Sequence, residues 1–163
     1  MKKIILSLSI LFLITGNVFS AGSSSSDDNA KTKSNYEKAV THIEAAKKHE
    51  KKGKLEKANK RYAKAQELLI KSNDKKPNNA DTLNYLGFTT RKLGDFENGE
   101  KYYLLGLEIE PNHVGINEYL GELYVVTNRI DLAKERLKVL ESCNCEEYGE
   151  LKEIIAGTKK SKY

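Results

Sequence analysis

Pro77-Asn78-Asn79-Ala80-Asp81-Thr82-Leu83-Asn84-Tyr85-Leu86-Gly87 is followed by a second version of itself, Pro111-Asn112-His113-Val114-Gly115-Ile116-Asn117-Glu118-Tyr119-Leu120-Gly121. The Pro, the first Asn, the Tyr, the Leu and the Gly each recur 34 residues on. A fixed period of this length marks a stacked array of helix–turn–helix units, each burying its apolar face on the next. An array of that kind offers a long binding surface. It does not readily gather polar groups into an enclosed catalytic pocket.

Outward from the repeat, both ends of the chain differ in character. Lys2 and Lys3 precede an apolar run over residues 4–14, and Val18-Phe19-Ser20 offers a cleavage point before Ala21. This pattern predicts a signal peptide over residues 1–20, with an uncleaved membrane anchor as the alternative. The run is short for a bilayer span, and no later stretch approaches that length, so no stable anchor is expected after cleavage. Residues 21–34 include Ser23, Ser24, Ser25 and Ser26, then Asp27 and Asp28, and carry too little apolar surface to fold. They are expected to be a disordered linker. The whole chain of 163 residues has a net charge of +5; without residues 1–20 it has 26 basic against 23 acidic side chains, +3. That mild balance, with export, argues against a nucleic-acid partner. The short signal and small module point to a bacterial protein, periplasmic or secreted.

The remaining residues read as helices throughout, with no strand. Ser34-Asn35-Tyr36-Glu37 is a capping box that opens a helix over residues 35–52, ended by Gly53. Apolar spacing of three and four predicts further helices over residues 55–72, 81–92, 96–109, 114–127, 130–141 and 146–156. Gly94, Asn128 and Gly157 act as stops, and Pro77 and Pro111 block continuation. Residues 158–163 form a basic tail, expected to fray.

These landmarks resemble the tetratricopeptide repeat (TPR) family. In residues 80–113, Leu83, Leu86 and Gly87 stand where the first helix packs, Gly94-Asp95-Phe96 makes the turn, Gly99, Tyr103 and Gly106 pack the second helix, and Pro111 closes the unit. Residues 114–145 follow with Leu120-Gly121, Tyr124, Asn128, Ile130, Ala133, Leu137 and Leu140, and Cys145 stands at the closing Pro position. Residues 35–79 are a divergent pair in which Gly53, Ala58, Tyr62 and Ala65 match Gly94, Gly99, Tyr103 and Gly106 at 41 residues. The surplus of seven fits two extra turns in the second helix. The resemblance covers about residues 36–157. It implies an all-α, right-handed superhelix of about three repeats, with residues 146–157 as a C-terminal capping helix.

The resemblance also implies a concave groove lined by the first helix of each pair. Asn84, Tyr85, Phe88 and Arg91, with Asp81 and Lys92, would come from the middle repeat. Glu118, Tyr119 and Glu122, with Val125, would come from the third, and Ile43, Lys47 and Glu50 from the first. Ordinary packing is the alternative for each. The implied function is an adaptor that holds a protein or peptide, with no enzymatic activity and no cofactor.

Cys143 and Cys145 invite a second reading. An exported pair is expected to be oxidised to a loop disulfide, and redox chemistry, metal handling or intermolecular pairing are the alternatives. His42 and His49 lie seven apart on one helical face, but two ligands do not complete a metal site, so no metal is assigned. Lysines and Arg61 crowd residues 47–64, a solvated face by default, with docking to an anionic membrane or an acidic partner as the alternative. Self-assembly through a repeat face is the third functional class. No phosphate loop, nucleophile elbow or zinc-protease pattern occurs.

Overall fold

A computed structural model describes residues 33–161. The segments expected to be a signal peptide (residues 1–20) and, for the most part, a linker (residues 21–34) lie outside the described residues, as do Lys162 and Tyr163. Seven helices follow in order: α1 (Asn35–Glu50), α2 (Leu55–Lys75), α3 (Ala80–Lys92), α4 (Phe96–Ile109), α5 (Val114–Val126), α6 (Ile130–Leu140) and α7 (Glu146–Ile155). No described residue is in a strand. No described helix is long and apolar enough to cross a membrane.

Local chemistry sets each start. Ser34 Oγ accepts the Glu37 N–H at 3.2 Å, and Glu37 Oε2 accepts the Ser34 N–H at 2.7 Å, closing the capping box. Asn79 Oδ1 caps α3 by accepting from Thr82 N at 2.8 Å. One period later His113 Nδ1 caps α5 by accepting from Ile116 N at 3.1 Å. An accepting Nδ1 leaves the proton on Nε2, which faces Asp81 Oδ1 at 3.2 Å and ties two successive inner helices together.

The turns inside the three pairs share one closure. Gly53, Gly94 and Asn128 have φ of 68°, 95° and 59°. Left-handed backbone favours glycine, and asparagine is the residue that most often replaces it. At each turn this residue donates three positions back, to Glu50 O, Arg91 O or Val125 O, and the next donates five back, to His49 O, Thr90 O or Tyr124 O. This is the Schellman ending of a helix. Gly157, with φ 74°, ends α7 the same way, through Ile154 O and Glu153 O.

Packing follows chain order: α1 on α2, α3 on α4 and α5 on α6 within pairs, α2 on α3 and α4 on α5 between them, and α7 across α5 and α6. Helices α1, α3 and α5 form one layer and α2, α4 and α6 the other. Helix α2 has 21 residues against 14 in α4, a difference of seven that matches the wider spacing of the first repeat. Ala58, Tyr62, Ala65 and Leu69 are its buried stripe. Small residues allow the close crossings: a Cβ on Gly87 would lie 2.5 Å from the Tyr103 ring, and one on Gly121 2.5 Å from Leu151 on α7.

Residues 158–161 turn back against the array. Thr158 N and Lys159 N both donate to Glu153 O, Lys159 Nζ meets Glu150 Oε1 at 2.8 Å, and Ser161 Oγ donates to Glu122 Oε2 at 3.0 Å. Sequence alone gave only a run of lysines here. The turn at Gly157 aims that run back toward the array.

Candidate interaction groove

Side chains of α1, α3 and α5 meet on one face of the array. Lys47 of α1 lies 4.8 Å above the Phe88 ring of α3 and 6.0 Å from the Tyr119 ring of α5, so three successive inner helices converge on one point. Aromatic side chains line this face: Tyr36 and Tyr85 are 5.9 Å apart, Tyr62 and Phe88 5.8 Å, and Phe88 and Tyr119 5.1 Å. Burial raises the Tyr36 pKa to about 12, with Asp81 and Tyr85 adding to it.

Two ion pairs brace the face. Arg91 Nη1 donates to Tyr119 O at 2.7 Å, and Nη2 lies 3.8 Å from Glu122 Oε2, with both side chains wholly buried. Burial pulls the Arg91 pKa down, and Tyr103, Glu122, Tyr119 and Glu118 pull it back. Arginine stays charged under such opposing shifts. Glu50 forms the second brace, accepting from Lys92 Nζ at 2.6 Å and from Tyr62 OH at 2.7 Å. Burial and then the Glu50 hydrogen bond raise the Tyr62 pKa well above its ordinary value. Gln66 Nε2 donates to Thr90 Oγ1 at 2.7 Å, a further bond between α2 and α3.

The residues expected to line the groove divide by exposure. Tyr85 and Tyr119 are half-buried, as are Lys47 and Lys92. Phe88 is 1% exposed, Arg91 2%, Glu118 3%, Glu122 0% and Asn84 7%. These five sit in the floor, not on an open surface, because ligands from three helices close over them. A partner reaching them directly requires the face to open. Residues not singled out from sequence also shape the array. Asn117 Nδ2 donates to Pro111 O and His113 O, both at 3.0 Å, and pins the turn between repeats. Arg129 grips Glu100 through two bonds of 2.9 and 2.7 Å.

The structure joins Cys143 to Cys145 through their Sγ atoms, in the loop before α7. His42 Nδ1 lies 3.2 Å from Arg61 Nη1 and must accept from that cation. Among the described residues, no group of three His, Cys, Asp or Glu side chains is placed to hold a metal ion.

Three helical pairs, stacked at a period of 34 or 41 residues, share one turn closure and one set of small-residue crossings. The fold is that of tetratricopeptide repeats. No family model matches the sequence, and no curated protein matches it. Solved structures similar to this chain are TPR domains. The first TPR of Spaghetti (RPAP3), bound to the HSP90 peptide SRMEEVD, is 22% identical, covering 77% of this chain and 96% of that one, with a TM-score of 0.48. The Arabidopsis OM64 TPR domain is 16% identical over 77% and 99%, with a TM-score of 0.48. The first TPR domain of human RPAP3 is 21% identical over 77% and 98%, with a TM-score of 0.47.

Proposed function

We propose that this chain is an interaction scaffold that holds an extended protein segment against the α1–α3–α5 face. The observation that carries the reading is the meeting of Lys47, Phe88 and Tyr119 from three successive inner helices, 4.8 Å and 6.0 Å apart across the concavity. Half-buried Tyr85 and Tyr119 supply flat apolar contact with little rotamer entropy to lose, and Lys47 supplies a cation beside them. Aromatic and basic groups of this kind dominate the energetics of protein recognition. With the amino-terminal pattern of Lys2, Lys3 and the apolar run, the reading is of an exported, periplasmic or secreted adaptor, not an enzyme.

The test is selection of displayed random peptides on the full chain and on its Lys47→Ala/Tyr119→Ala variant. Peptides retained by the former and released by the latter support the groove. The selection is repeated with the Lys159→Glu/Ser161→Glu chain, whose tail contacts are weakened. Enrichment in neither chain, or enrichment indifferent to Lys47 and Tyr119, refutes the reading.

A further inference from the structure

The segment after α7 is the natural candidate for what covers the groove floor. Gly157 reverses the chain through its left-handed turn, with φ of 74°. Thr158 and Lys159 then hang from Glu153 O, and Lys159 Nζ is held by Glu150 Oε1 at 2.8 Å with Glu153 Oε2 at 4.0 Å. Ser161 reaches across 39 residues of sequence to Glu122 Oε2 at 3.0 Å. That oxygen is also the one facing Arg91. The tail thus ends, among the described residues, on the ion pair that closes the floor of the concave face. Charge matches along the way: a segment bearing Lys159 and Lys160 runs past Glu150, Glu153 and Glu122.

We propose that the segment over residues 157–161 is an intramolecular occupant of the α1–α3–α5 face, competing in cis with whatever that face binds. The proposal uses the same face as the scaffold reading and stands on the Ser161–Glu122 contact to α5, with Lys159–Glu150 fixing the start of the tail against α7; neither needs an outside partner. A short tether gives a tail an effective concentration of about 1 mM at the site it covers. If the same segment binds in trans with Kd of about 100 µM, an untethered copy binds the closed chain about tenfold more weakly than an opened one.

The probe is a fluorescein-labelled peptide of residues 156–163, titrated by anisotropy. One sample is the unaltered full chain. Another carries Lys159→Glu and Ser161→Glu, which set acids against Glu150, Glu153 and Glu122. A third ends after Gly157 and keeps every helix. The expected result is binding at least tenfold tighter to both altered chains than to the unaltered one, with the tightening abolished by adding Glu122→Gln. Thermal melting checks the fold of each. Equal binding to the unaltered chain and a folded altered chain overturns the proposal, as does no binding to a folded altered chain. Random peptides captured by the altered chain while its own tail peptide is ignored would leave the scaffold reading standing and this one refuted.

Discussion

Replacing Arg91 with Met tests the electrostatics of the groove floor most directly. Arg91 is the largest fully buried side chain among the described residues. Its guanidinium lies 3.8 Å from Glu122 and donates to Tyr119 O at 2.7 Å. Methionine fills much of the volume, so the cavity contribution is small. What remains is a carboxylate deprived of its cation in a water-poor site, which costs about 3–5 kcal/mol. The Tyr119 carbonyl lies inside α5 and keeps its helical partner, so losing the Arg91 donor adds about 1 kcal/mol. A loss of about 4–6 kcal/mol in a domain of this size lowers Tm by roughly 15–20 °C. Urea unfolding followed by far-UV circular dichroism measures the difference, with unchanged m-value as the check that the unfolded state is unaltered. Arg91→Met/Glu122→Leu should recover at least about 2 kcal/mol, because it removes the stranded charge with its partner. A single-variant loss under about 1 kcal/mol, or no recovery in the double variant, refutes the account of a tightly coupled buried pair.

Gly87→Ala drives a methyl into the Tyr103 ring and is expected to destabilise by at least about 2 kcal/mol, whereas Gly149→Ala, with nothing within 4 Å, should stabilise α7 by about 0.5–1 kcal/mol; paired urea titrations compare them. Asn128→Ala should cost about 1 kcal/mol because φ is 59° there, while Asn128→Gly should be close to neutral, and thermal melts distinguish the two. Burial, then Arg61 and Lys64, lower the His42 pKa below its ordinary value of 6.5. The unfolded chain therefore takes up a proton first as pH falls. The contribution of His42 to stability is intact above pH 6.5 and is lost as pH drops from there through the lowered folded value; a stability–pH curve of His42→Gln should lack this component. Ser34→Ala removes the α1 cap and should cost about 1 kcal/mol, with faster amide exchange confined to the first turn of α1.

The periodic backbone was legible in the sequence because its punctuation is local. Gly53, Gly94 and Asn128 stand where left-handed turns are needed, Pro77 and Pro111 stop continuation, and Ser34 announces a helix within four residues. The burial of Arg91 was not legible. A charged residue at a groove position in the pattern reads as solvated until Glu122 and Tyr119, 31 and 28 residues away, close over it. The brace of Glu50, Lys92 and Tyr62 likewise joins three helices, and no spacing rule brings them together. The return of Ser161 to Glu122 leaves no trace in composition, since one serine carries it.

The long second helix of the first pair has a consequence for how such a chain can change length. Seven residues turn an α-helix through about 700°, within about 20° of two full revolutions. The insertion in α2 thus lengthens the rod while leaving Tyr62, Leu69 and the turn at Pro77 in azimuthal phase with the rest of the array. An insertion of five residues, about 500°, would swing the buried stripe about 140° toward water. Helix length in this fold is therefore quantised. Excising seven consecutive residues between Ala65 and Pro77 should return the first repeat to the pitch of its neighbours, where excising five should melt it.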